Sequence, residues 1–217
     1  MVKIWENNSE LDVDLSEQYM LSCSPGGCNG WYWMQTLAWI KNHGAIPESC
    51  LTYQANDTIL CDDKCVEWHE LIVGVDSYHR VTSNVSMIQS ALIEHGPLPA
   101  TMDVYEDFYP NYEGGVYEYT WGDFVFGHCI TIVGYDDTLQ CWIVKNSWGA
   151  EWGEDGWFRI AYGQCKIENG VHYYVGPNYI SQKPQPPTGP NEGAAGETYI
   201  YTAEATDPDE DLSLIHI

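Results

Sequence analysis

The chain has 217 residues, a hydrophobic content of 44% and a net charge of −24, from 32 acidic against 8 basic side chains. That is enough for one domain of ordinary size with its own core, plus a tail. The charge excludes a nucleic-acid binder as the first reading, because phosphate backbones need a basic footprint. It also argues against anionic membrane surfaces and fits an extracellular or high-salt setting. There is no run of 18 apolar residues and no leader peptide, so no membrane span is expected. On a chain of secreted type the missing leader implies that the natural N-terminus lies upstream of Met1.

In chain order, residues 2–5 read as the end of a helix. Residues 15–23 form a short helix with Ser16 as N-cap and Glu17 in its first turn. After a Gly-rich loop, residues 31–43 form a second helix, with Trp31, Met34, Ala38 and Trp39 near helical spacing and Gly44 as its C-terminal stop. The stretch 45–70 is loop-like and Cys-rich. Residues 71–82 read as a strand. Residues 85–95 read as an amphipathic helix with Met87, Ile88, Ala91 and Leu92 inward, ended by Gly96-Pro97, and 98–104 as a strand. An aromatic, turn-rich connection spans 108–115. A hairpin follows, then strands over 156–162 and 171–175. Helices come first and an antiparallel sheet second, so the fold class is α+β in two lobes, helical and then β-barrel-like.

The tail changes composition. Residues 1–178 are assigned to the main domain and 179–191 to a Pro-rich linker. Residues 192–211 resemble the opening of an immunoglobulin-like or PKD-like module, with a strand pattern over 198–203. Residues 212–217 break that pattern and are set aside as a sequencing artefact.

The hairpin carries the chemistry. Apolar, β-branched runs over 127–135 and 141–149 flank a five-residue polar loop. If Tyr135 pairs with Cys141, Ile130 pairs with Asn146, and His128 falls diagonal to Asn146 on the same face. A His beside an Asn is either a core imidazole satisfied by an amide or a general base with its tautomer fixed. Trp148, two residues past Asn146, is placed to cover the pair from water, which favours the second reading. Gly149 and Gly153 permit the turns this needs.

Eight Cys occur. The close pairs 23/28 and 61/65 allow a zinc reading, but no pair has two-residue spacing and His69 is the only imidazole nearby. Disulfides in an oxidising compartment fit better. Asp103, Glu106 and Asp107 read as a solvated acidic loop rather than a calcium site.

Several blocks together resemble one family. Leu15-Ser16-Glu17-Gln18 with Cys23, then Gly27-Cys28-Asn29-Gly30, Gly127-His128, and Lys145-Asn146-Ser147-Trp148-Gly149 with Trp152-Gly153 and Gly156 resemble the papain-like cysteine peptidases. The resemblance covers about residues 2–175. It implies a two-lobe fold, no cofactor and no metal. It implies peptide hydrolysis by a Cys thiolate, with His128 as base and acid and Asn146 as its orienter. Polypeptide substrates and a propeptide or protein inhibitor are the implied partners, at the cell exterior.

The family's nucleophile lies in a Cys-Gly-Ser/Ala-Cys stretch about 130–150 residues before the His. No such stretch occurs in this sequence, so the thiol and its oxyanion Gln are expected upstream of Met1. Cys28 opens a helix, where a thiol pKa falls, but the resemblance makes it a disulfide partner of a missing Cys. The resemblance also pairs Cys23 with Cys61 or Cys65, leaving Cys50 for the other. Gly30 matches the first of a Gly-Gly pair that exposes backbone to substrate, and Trp31 replaces the second. Tyr32, Thr101 and Cys129 are the expected lining of the main specificity pocket, which should favour an apolar side chain. The rival reading is a peptidase-like binding or scaffold protein without a nucleophile.

Overall fold

The computed structural model describes residues 14–179, 202–206 and 212–216. The expectations for residues 2–5, for most of the Pro-rich linker and for residues 198–201 lie outside them. Among the described residues the α-helices are α1 (Glu17–Cys23), α2 (Trp33–His43) and α3 (Val85–His95). The main strands are β1 (Val73–Arg80), β2 (Leu98–Tyr105), β3 (Val116–Tyr117), β4 (Phe124–Asp136), β5 (Cys141–Lys145), β6 (Trp157–Ala161) and β7 (His172–Tyr179).

The helices start and stop for the expected reasons. Ser16 Oγ accepts from Tyr19 N at 2.9 Å and caps α1. Asn84 Oδ1 accepts from Met87 N and caps α3. Gly44 ends α2 with φ +68, and there a Cβ would meet Val73 O at 2.8 Å. The inward assignment of Met87 is corrected: it is 51% exposed, while Ile88, Ala91 and Leu92 form the packed face of α3. In α2 the packed face is set by Leu37 and Trp39, and Met34 is 52% exposed.

The strands form an open, mixed sheet in the order β2-β4-β5-β6-β3, not the closed antiparallel barrel that the barrel-like expectation implied. β2, β4, β5 and β6 pair antiparallel, but β3 pairs parallel with β6. The long connection after β2 carries the chain to the opposite edge before β3 forms, so the two edges are not joined. One apolar cluster fills the inner face, from Val81 through Phe108, Ile132, Trp142, Val144 and Phe158 to Val171. β1 and β7 form a separate antiparallel pair; β1 packs on α2 and β7 on β2. β7 runs to Tyr179, so the linker boundary drawn at residue 179 falls one residue inside a strand.

The first lobe has a smaller cluster around Tyr19, Trp39, Ile46 and Leu51. Two disulfides, Cys23–Cys61 and Cys50–Cys65, staple its loops. The buried Gln18 amide crosslinks it further, donating to Asn56 O at 2.7 Å and accepting from Gln54 N at 2.9 Å. Cys28, a disulfide candidate by sequence, is a free exposed thiol among the described residues; the partner that the resemblance gives it is not in this sequence. In the tail, β8 (Thr202–Thr206) pairs antiparallel with β9 (Leu212–His216). The tail assignments to a module opening and an artefact otherwise fall largely on residues outside the described ones.

Candidate active site

β4 and β5 set the site. The register at the loop is Asp136 to Cys141 and Tyr135 to Trp142, one step from the expected pairing. A bulge between Ile132 and Gly134 absorbs that step, so Thr131 pairs with Lys145. The next position along thus sets Ile130 opposite Asn146, as expected. A bulge inserts one residue and re-aims the strand beyond it.

His128 Nε2 and Asn146 Oδ1 lie 2.8 Å apart. Ser147 N also donates to Asn146 Oδ1, at 2.9 Å. A backbone N–H needs an acceptor, so this bond fixes which end of the amide is oxygen. His128 Nε2 therefore carries the proton and donates it, which leaves Nδ1 as the basic nitrogen. Asn146 is buried, and its own N–H donates to Gly156 O at 3.0 Å. Burial pushes the His128 pKa below the usual imidazole range, and the bond to Asn146 acts in the opposite direction.

Trp148 stacks on the His128 ring at 4.7 Å and 26°. It is seated on Trp152 at 4.7 Å and Phe108 at 5.9 Å. The return from Trp148 to β6 needs Gly153, whose φ is +61 and where a Cβ would meet Trp157 O at 2.7 Å.

A cleft of about 380 Å³ opens beside His128, lined among others by Trp31, Tyr32, Thr101 and Cys129. These four expected residues thus line one cleft; Gly30, also expected there, does not. Thr101 and Cys129 are direct cross-strand partners of β2 and β4. The sequence reading missed Asp103, Lys166, Asn169 and Gly170, which close the cleft from the 3-10 segment Gln164–Gly170 and from β2. Lys166 Nζ lies 2.5 Å from Asp103 Oδ2. A Cβ on Gly170 would run into Thr101 Oγ1, so only glycine lets this segment close on β2. His172, for which no partner was foreseen, is buried, donates Nδ1–H to Gly170 O at 3.0 Å and meets Trp33 edge-on at 5.8 Å.

A second hollow of about 310 Å³ lies on the other side of Cys129, between Trp33, Ile130 and Asn146. Two buried donors, Trp33 Nε1 and Asn146 Nδ2, belong to residues lining it and have no partner among the described residues. Such orphans are rare in folded proteins. Of the free thiols, Cys28 lines neither hollow. Cys129 lines both and its side chain is open to the cleft. Even so, the protein mass around it pushes its thiol pKa up. The acidic residues 103, 106 and 107 serve as hydrogen-bond and ion-pair acceptors.

A family model described as papain family cysteine protease matches residues 1–175. The chain belongs to the papain family of cysteine proteases. Cathepsin B-like CP2 of Giardia intestinalis is 36% identical over 172 residues, 74% of this chain and 57% of that protein. Cathepsin B-like cysteine proteinase 6 of Caenorhabditis elegans is 35% identical over 206 residues, 76% of this chain and 54% of that protein. This papain-family chain thus spans a little over half the length of the curated relatives it matches. Among solved structures, proCathepsin B S9 from Trypanosoma congolense superposes with a TM-score of 0.68 at 26% identity, covering 76% of this chain and 60% of that one. A cysteine protease of Carica candamarcensis shares the fold at a TM-score of 0.67 and 23% identity, covering 81% and 83% of the two chains.

Proposed function

We propose that this chain carries the base half of a cathepsin B-like cysteine endopeptidase. The observation that carries the reading is the 2.8 Å His128–Asn146 pair under the Trp148 ring. With Nε2–H held by Asn146, Nδ1 faces outward to form an ion pair with a thiolate. The thiolate attacks the peptide carbonyl, His128 gives its proton to the leaving amine, and it then takes one from the water that frees the acyl group. Asn146 orients the ring throughout, and Trp148 keeps water off the pair.

The thiol lies on a part of the protein outside these 217 residues, packed into the hollow by Trp33 and Asn146. Backbone carbonyls of that segment would satisfy the two orphan donors. Trp31, Tyr32, Thr101 and Cys129 bind the acyl side of the substrate, which favours an apolar side chain. The relatives' names support polypeptide substrates, and the procathepsin title supports a propeptide partner. The two disulfides fit a secreted or lysosomal setting.

The test is to read the coding sequence ahead of Met1, express the full product and treat it with an epoxide that alkylates active-site thiols. We expect a Gln and a Cys-Gly-Ser-Cys-Trp type stretch in frame, one covalent adduct, and loss of peptide turnover in His128→Ala. A full product that forms no adduct and whose activity ignores His128→Ala overturns the reading.

A further inference from the structure

The segment Gln164–Gly170 closes the cleft against the preference of its own backbone. Cys165 and Lys166 stand at φ +48 and +55, a left-handed conformation that residues with side chains keep only where their surroundings hold them. The hold on the exit from the segment is a run of three carbonyls, each taken by a different donor. Asn169 O accepts from Arg80 Nη2 at 2.6 Å, Gly170 O from His172 Nδ1–H at 3.0 Å, and Val171 O from Val81 N at 2.9 Å. The last is an ordinary backbone bond. The first two come from side chains, which a strand pair does not require.

His172 is buried and does not line the cleft, yet it backs two of its sides. Through Gly170 it holds the 3-10 segment against Thr101, where a Cβ would not fit. Through its ring it meets Trp33 of α2 edge-on at 5.8 Å, and Trp33 lines the same cleft from the first lobe. From β1, Tyr78 meets the ring at 6.2 Å and Arg80 is its cross-strand partner. Burial lowers the His172 pKa, the bond to Gly170 acts the other way, and the charge of Arg80 lowers it again. The neutral ring with its hydrogen on Nδ1 is thus the form that fits. A buried histidine satisfied by one carbonyl needs no function. This one differs because its carbonyl belongs to a cleft residue, and the carbonyl before it has a side-chain donor of its own.

We propose that His172, with Arg80 beside it, is a positioning residue that sets the depth of the cleft on the acyl side of the scissile bond. Neither side chain touches substrate. Together they draw the Asn169–Gly170 backbone onto Thr101, and the space left in front of it limits which apolar side chain of the substrate fits. Loss of either donor leaves a carbonyl without its partner, the strained segment relaxes away from β2, and the cleft deepens. The effect on substrate choice rests on the endopeptidase reading; the hold on the segment does not.

Two variants separate the donor from the ring. His172→Phe keeps a ring against Trp33 and removes the donor, whereas His172→Asn keeps a short N–H donor and removes the ring. Amide hydrogen exchange over residues 164–171 is read first, in the 217-residue chain. Exchange should quicken about fivefold in His172→Phe and stay within about twofold of the parent in His172→Asn. Arg80→Met, at an exposed position, should act in the same direction by a smaller factor, and it decides alone if His172→Phe does not fold. The full product is then assayed on peptides that differ only in the acyl side chain entering the cleft, Val against Trp. In His172→Phe the kcat/KM for the Trp peptide relative to the Val peptide should rise at least about fivefold, through KM rather than kcat. His172→Asn should restore the parent ratio. Unchanged exchange in the variants that fold, or an equal loss of turnover on both peptides, overturns the proposal. So does an unchanged ratio where exchange has quickened. No turnover at all, with the exchange response intact, sinks the peptidase reading and leaves the hold on the segment standing.

Discussion

In the sheet lobe twenty buried residues form one cluster, whereas the first lobe gathers six among the described residues. At about 1.5–3 kcal/mol for each fully buried apolar side chain, the sheet lobe can support itself on packing. The first lobe holds its loops with two disulfides and with the buried polar groups Ser16 and Gln18. The two halves of the cleft differ in the same way. On the sheet side, backbone register and a stacked indole place His128 and Asn146. On the helical side, Trp33 presents a buried donor that meets no acceptor among the described residues, as Asn146 Nδ2 does on the sheet side. The His128–Asn146 arrangement is thus fixed by the sheet lobe alone.

The largest effect tests whether the sheet lobe is one packed unit. Phe158 is fully buried, and Phe158→Ala should cost about 3–5 kcal/mol in urea unfolding; a cost under about 1 kcal/mol would break the contrast. Next, Cys50→Ser with Cys65→Ser opens a ring with a sequence separation of 15. It should cost about 3 kcal/mol and admit protease within residues 45–70, while the NMR signature of the His128–Asn146 bond persists. If that bond is lost as well, the lobes are not independent in the way described.

Asn146→Ala removes the acceptor that holds His128, and peptide turnover by the full product should fall about tenfold. Because the bond favours the charged imidazole, the His128 titration should also move further down, a shift that mere loosening of the hairpin would not produce. A smaller effect comes with acid. Burial lowers the pKa of both His128 and His172. Below the usual imidazole pKa the unfolded chain then binds more protons than the folded one. Stability should be full above about pH 6.5 and fall as pH drops toward the lowered values. Urea midpoints measured from pH 7.5 to 4.5 check this, and His172→Asn should flatten part of the slope. A last pair sits on α3: Ile88→Ala should cost about 2–5 kcal/mol, whereas Met87→Ser should give the smallest effect of all, less than about 0.5 kcal/mol.

Much of this was legible before folding. Alternating β-branched runs around a polar loop specify a hairpin, and a hairpin with His128 and Asn146 at those offsets can hardly avoid bringing them together. Caps such as Ser16 and Gly44 are local chemistry and were readable for the same reason. The inward faces of α2 and α3 were half legible: spacing defines a stripe, but which edge of the stripe is covered depends on what packs there, and Met34 and Met87 fell on the open edge. The acyl-side lining was found where residues lie on paired strands, as Thr101 and Cys129 do. It was missed where the 3-10 segment Gln164–Gly170 folds back onto β2, a contact over 60 residues away in sequence that no periodicity announces.

By itself the sequence determined the hairpin, the His128–Asn146 pair with its covering indole, and the Cys-rich character of the first lobe, because each follows from neighbours or from a two-residue repeat. Only the tertiary structure decided the open mixed sheet, the disulfide partners and the Gly170–Thr101 closure. These depend on which distant surfaces meet, and that is settled by packing over the whole chain rather than by local preference.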